Sequence, residues 1–119
     1  MSVLSWNCRG LGSPSTGKNL RFLCNKYKPS LVFLMETRVN NGTVERRRRG
    51  LRFPNMYYVE LEGISGGLAL WWLESVKLEV IVAGKNFIHV KILAGLDPIE
   101  GHITFVYGPP KEQLRGSWW

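Results

Sequence analysis

Two hydrophobic periods share this chain. Residues 31–35, Leu-Val-Phe-Leu-Met, are apolar without a break, the pattern of a strand covered on both faces. Before them, Leu20, Leu23, Cys24 and Tyr27 recur at i, i+3, i+4 and i+7, which predicts a helix. Lys18, Asn19, Arg21, Asn25 and Lys26 take its other sides. Ser13-Pro14 supplies its start, a capping serine and a proline at the first helical position, and Pro29 its end. Val3 to Cys8 is a short β-type run closed by Gly10 and Gly12. Strand, helix and buried strand predict a βαβ unit.

From residue 76 onward the period is two. Val76, Leu78, Val80 and Val82 alternate with Lys77 and Glu79. Ile88, Val90 and Ile92 alternate with His89 and Lys91, and Ile103, Phe105 and Tyr107 with His102 and Thr104. Each reads as a strand with one buried face, separated by turns at 84–86 and 95–98. Residues 54–61 and 66–73 read as two more strands around Glu62-Gly63-Ile64-Ser65. The predicted class is α/β: two mainly antiparallel sheets packed face to face, helices outside.

Val44 to Arg52 reads as a helix carrying Arg46-Arg47-Arg48-Arg49. Such a run can grip phosphate or serve as a nuclear-import signal. Four consecutive helical residues point in all directions, so the expectation is a solvated face.

The 119 residues fit one domain, and their 45% apolar and 12% aromatic content excludes a disordered chain. Two cysteines, Cys8 and Cys24, make neither a disulfide scaffold nor a C-x-x-C metal site. The polar opening MSVLSWNCRG does not read as a signal peptide, and no apolar run is long enough for a transmembrane helix. A soluble protein of a reducing compartment, nucleus or cytoplasm, is expected, with no membrane partner. Charge is uneven: residues 1–53 hold 11 Lys+Arg against 2 Asp+Glu, the remainder 5 against 7. A basic half suits a polyanion such as nucleic acid.

Three predicted strand ends carry polar groups: Asn7, Glu36 and Tyr107. Ligand sites of layered α/β folds lie at strand ends. A carboxylate there could reach Mg²⁺, which takes one or two protein carboxylates and fills its shell with water and substrate phosphate. By residue type alone, Glu36 is more often a helix-start or turn acid than a ligand, Asn7 more often a turn amide and Tyr107 more often a half-buried core ring.

The stretch Leu4-Ser5-Trp6-Asn7-Cys8-Arg9-Gly10-Leu11-Gly12 resembles the opening of endonuclease/exonuclease/phosphatase-superfamily domains. More narrowly, it is similar to the endonuclease of plant LINE-type (non-LTR) retrotransposons. The likeness continues, in order, through Pro29, residues 32–37, residues 65–72 and Phe105-Val106-Tyr107-Gly108-Pro109. The resemblance implies a four-layer α/β sandwich, of which this chain is the N-terminal portion. It implies phosphoester cleavage with Mg²⁺ or Mn²⁺, with DNA as partner. By matched position Glu36 would bind the metal, Asn7 would organise metal, water and phosphate, and Tyr107 would hydrogen-bond the scissile phosphate. Arg9 could add a charge-assisted phosphate contact.

The family's later Gly-Asp-x-Asn and Ser-Asp-His motifs, which supply further ligands and a histidine base, have no counterpart here. Pro110 stands where several branches have asparagine. His89 and His102 fall on polar strand positions and read as surface residues, and Asp97 lies in a proline turn. Residues 1–119 are therefore expected to form a single, C-terminally truncated domain that binds metal weakly through one carboxylate and is catalytically incomplete. The alternatives are a non-catalytic nucleic-acid-binding remnant or a gene fragment. An uncovered sheet would favour self-association and poor solubility.

Overall fold

The alternation along β2 (Leu31–Met35) sets the layers of the molecule. Val32 and Leu34 point to one face, Leu31 and Phe33 to the other, and all four are buried. The computed structural model describes residues 2–60 and 66–108. In these, β1 (Val3–Asn7), α1 (Pro14–Tyr27), β2, α2 (Asn41–Gly50), β3 (Asn55–Val59), β4 (Leu68–Trp72), β5 (Lys77–Gly84), β6 (Phe87–Leu96) and β7 (Ile99–Val106) follow in order. The expected turn at 62–65, Pro110 and the last two tryptophans lie outside the described residues.

The predicted βαβ unit forms as expected: β1 runs parallel to β2, with Val3 opposite Leu31 and Asn7 opposite Met35. β4 pairs antiparallel with both β2 and β3, giving the order β1-β2-β4-β3. Its central place follows from Leu68 to Trp71, buried on both faces, whereas β3 exposes Tyr57 at the edge. β5, β6 and β7 form the predicted antiparallel meander as a second sheet.

One core lies between the helices and the four-stranded sheet. There Leu20 and Val44 pack with Val32, Leu34, Ala69, Trp71 and Phe53. The other core lies between the sheets, where Leu31, Phe33, Leu68 and Leu70 meet Val76, Ile88, Val90 and Ile92. Burial of each such side chain contributes about 1.5–3 kcal/mol. Phe33 meets Phe105 across this core, ring centroids 5.3 Å apart, which sets β7 over β2. The described residues therefore build three layers: helices, four strands, three strands. Lys91 and Leu93 of β6 and His102 and Thr104 of β7 are exposed on the outer face of the three-stranded sheet. Val3 and Ser5 of β1 are exposed too, although their β2 partners are buried.

The structure corrects four local expectations. Val82 does not share the buried face of Val76, Leu78 and Val80: it is 51% exposed, because the β5–β6 ladder shifts register between Val80 and Val82. Tyr27 leaves the apolar face of α1: it is 54% exposed, with Lys26 Nζ 5.3 Å from its ring centroid. α2 starts at Asn41 rather than Val44, because the Asn40 side chain caps it by accepting the Thr43 N–H at 3.0 Å. The arginine run is not uniformly solvated. Arg47 reaches across α1 to donate to the Leu11, Gly12 and Ser13 carbonyls at 3.1–3.2 Å. Arg48 donates to the Phe53 carbonyl at 2.7 Å and pairs with Glu45 at 3.1 Å. Only Arg46 and Arg49 stay exposed.

Candidate active site

Asn7, Glu36 and Tyr107 come together at one end of the sheets. The parallel β1–β2 register places Asn7 opposite Met35, one residue before Glu36. The ladder continues past the strands: the N–H groups of Cys8, Gly10 and Leu11 donate to the carbonyls of Met35, Glu36 and Thr37. On the other side, the Thr37 and Arg38 N–H groups donate to the Gly67 and Gly66 carbonyls. The loop bearing Glu36 is thus stitched to both neighbouring segments, which fixes its side chain without any ligand.

Asn7 is oriented from both ends of its amide. Its Oδ1 accepts the Arg9 N–H at 3.1 Å, and its Nδ2 donates to Glu36 Oε2 at 2.5 Å. Arg38 donates to the other carboxylate oxygen, Oε1, also at 2.5 Å. Tyr107 also hydrogen-bonds the carboxylate. Its arrival follows from the Phe33–Phe105 contact: two residues beyond Phe105 on the same strand face, Tyr107 reaches the end of β2. Desolvation pushes the Glu36 carboxyl upward. The hydrogen bonds from Asn7, Arg38 and Tyr107, with the Arg38 charge, outweigh it and hold the group below the ordinary glutamate range.

Three non-glycine residues here adopt left-handed backbone: Arg9 (φ 48°), Glu36 (φ 52°) and Arg38 (φ 54°). Each such conformation costs on the order of 1 kcal/mol or more, and its clustering marks places where position matters more than stability. The Arg9 side chain is exposed, and only its backbone joins the network. Thr37 is fully buried beside Glu36, and its Oγ1 has no partner among the described residues.

Of the residues singled out in the sequence, the structure gathers Asn7, Glu36 and Tyr107 and leaves Arg9 at the margin. Arg38 was missed. No periodicity marks a loop arginine, and the only signal was its place two residues beyond a strand-end acid. His89 and His102 are surface groups, as expected. They stack at 5.2 Å on the strand positions opposite in parity to Phe105 and Tyr107, with ring nitrogens 3.1 Å apart.

The donor set is all oxygen: a carboxylate with lone pairs to spare beside its three hydrogen bonds, and a nearby phenol. That fits a hard cation held by one protein carboxylate and otherwise by water and phosphate. Among the described residues no group of three or more His, Cys, Asp or Glu side chains converges to hold an ion. No helix among them is long and apolar enough to cross a membrane.

No protein-family model matches the chain, and no curated protein matches it in sequence. Solved structures do share its fold. An AP endonuclease from Archaeoglobus fulgidus superposes with a TM-score of 0.60 at 20% identity, over 99% of this chain and 48% of that one. A humanized D. rerio TDP2 gives 0.63 at 16%, over 98% and 55%. The 3′ phosphatase NExo from Neisseria, bound to product DNA hairpin, gives 0.53 at 14%, over 99% and 48%. The chain has the α/β sandwich fold of these nuclease- and phosphatase-type proteins. It spans about half the length of each solved chain.

Proposed function

We propose that this chain carries the metal- and phosphate-binding part of a metal-dependent phosphodiesterase acting on DNA. The reading is of endonuclease/exonuclease/phosphatase type and, from the sequence blocks, of the LINE retrotransposon branch. One observation supports it above the others: Asn7, Glu36 and Tyr107, from three separate strands, meet at one strand-end carboxylate.

In this reading Glu36 holds Mg²⁺ or Mn²⁺, which would draw charge from a phosphoryl oxygen and stabilise the leaving oxyanion. Asn7 fixes the carboxylate rotamer, since its amide is itself pinned by the Arg9 N–H. Tyr107, whose single O–H donates to Glu36, would pass that hydrogen bond to a non-bridging phosphate oxygen once a cation takes its place on the carboxylate. Arg38 and Arg9 are the cations within reach of substrate phosphate. None of these groups is a general base, a function worth typically 10²–10⁴ in rate.

The test is nicking of supercoiled plasmid with Mg²⁺ or EDTA, beside Glu36→Ala. Metal-dependent nicking that the substitution abolishes supports the assignment. Nicking that survives it overturns the metal site. Folded protein that binds DNA without nicking it supports the second reading, a non-catalytic nucleic-acid-binding domain. The single carboxylate among the described site residues favours that alternative.

A further inference from the structure

Nine of the eleven cations in residues 1–53 lie on α1, α2 and the residues just after them, against one acid, Glu45, which is already paired with Arg48. The candidate active site uses none of the nine. Between the two helices lie two depressions of about 420 and 250 Å³, which share Arg21, Gly50 and Leu51 in their walls and so form one trough. Its floor is apolar, with Cys24, Leu51 and Leu73 half-buried over the core residues Leu20 and Phe53, and its rim carries Arg21, Asn25, Lys28, Arg46 and Arg52. All five rim residues are exposed.

Helix ends explain part of this. Lys28 and Arg52 follow the C-termini of α1 and α2, where unpaired carbonyls attract cations. Arg21 and Arg46 stand mid-helix, where no such pull acts, and neither forms an ion pair among the described residues. Gly50 stands in the wall common to both depressions, where a Cβ would make only an ordinary contact, 3.9 Å, with Arg21 Nη2.

We propose that this trough binds single-stranded nucleic acid, with backbone phosphates on the cationic rim and sugar and base faces against the apolar floor. A positively charged groove that tracks the backbone is one half of the general solution for strands bound without sequence preference; the other half, aromatic stacking, is replaced here by aliphatic contacts. Depressions of about 420 and 250 Å³ admit an extended strand but not a duplex. Pro29, Phe53 and Leu73 in its wall flank the ends of β2, β3 and β4 remote from Glu36. Six residues, five of them in β2, separate Pro29 from Glu36, roughly 20 Å, so the trough is a second contact zone and not an extension of the first. The proposal is independent of cleavage.

The test is fluorescence anisotropy of a labelled oligo-dT in EDTA, over a salt series, with the full chain. Arg21→Ala combined with Arg52→Ala should weaken binding about tenfold and lower the salt slope by about 1.4, two phosphate contacts at ~0.7 each. The matched charge loss Lys77→Ala with Lys91→Ala, on the three-stranded sheet, should leave the slope unchanged. Arg21→Lys with Arg52→Lys should restore it, which separates lost contacts from misfolding. Equal losses from the helical and sheet pairs would show that only net charge matters and overturn the site. An unchanged slope in the helical pair overturns it as well. Tighter binding to phosphatidylserine vesicles than to the oligonucleotide, lost in the same helical pair, overturns it in favour of a membrane surface. With metal absent, none of these outcomes bears on Glu36.

Discussion

Arg38 lies on the Glu36 carboxylate across a single intervening residue, both backbones turned into the left-handed region. The pair leaves one carboxylate oxygen committed to a side-chain cation and the other to Asn7. A metal ion approaching Glu36 therefore meets a guanidinium that must swing away or be repelled. Arg38 is 44% exposed at its side chain, so a path into solvent is open to it.

From this follows the first prediction. Arg38→Ala should tighten Mn²⁺ binding about fivefold at low salt by removing an adjacent like charge. Glu36→Gln should abolish binding at the site. Mn²⁺ titration followed by electron paramagnetic resonance checks both, and equal affinity in Arg38→Ala and the parent chain would show that the guanidinium does not compete.

The second concerns pH. A carboxyl held below its ordinary range in the folded state stabilises the fold above its unfolded pKa, about 4.3 for glutamate. That contribution is lost as pH falls from there through the lowered folded value. The urea midpoint of the parent chain should therefore exceed that of Glu36→Gln at pH 6, and the gap should close as the buffer is taken below about pH 4. A gap independent of pH would mean that shape, not charge, distinguishes the two.

Arg47 supplies the third. Its guanidinium crosses α1 where Gly17 offers no side chain; a Cβ there would lie 2.4 Å from Arg47 Nη1. Arg47→Ala leaves three loop carbonyls without this donor and should cost about 1–3 kcal/mol. Arg47→Lys should recover only part, since an ammonium lacks the planar fork. Gly17→Ala adds about 0.5–1 kcal/mol of helix propensity but displaces the guanidinium, so it should stabilise less in the parent chain than in an Arg47→Ala background. Thermal denaturation of these variants and of the Gly17→Ala, Arg47→Ala double variant decides this, and a Gly17→Ala effect that is the same with and without Arg47 would show that the two do not meet.

Gly95 supplies the fourth. It sits where β6 loses register between Ile92 and Leu96, at φ 96°, and an added Cβ would lie 2.0 Å from the Ser75 carbonyl oxygen. Backbone cannot yield as a flexible side chain can. Gly95→Ala should destabilise by about 2–4 kcal/mol, whereas Gly101→Ala, also at positive φ but in open space, should cost less. Chemical denaturation of the two gives the comparison.

Legibility in the sequence tracked how local the determining physics was. The unbroken apolar run at 31–35 announced a doubly covered strand because burial on both faces permits no polar alternation. The alternation at 88–92 and 103–107 announced the meander for the converse reason. The insertion of β4 between β2 and β3 was invisible, since nothing in Leu68–Trp72 says which neighbour it takes. Arg47 and Arg48 misled because their partners are backbone carbonyls, which no residue pattern reveals. Asn7, Glu36 and Tyr107 could be marked one by one as strand-end polar groups. Their meeting depended on a sheet-to-sheet contact, Phe33 on Phe105, that lies beyond any single-strand period.

That contact gives the site a clock and a gauge. Asn7 and Glu36 belong to one βαβ unit and can find each other as soon as it closes, whereas Tyr107 comes with a meander whose pairing with β2 is only through side chains. Opening of the meander as one cooperative unit would carry off the hydroxyl and leave the amide in place. The acidity of a single glutamate thus reads out whether two separately built sheets are shut upon each other.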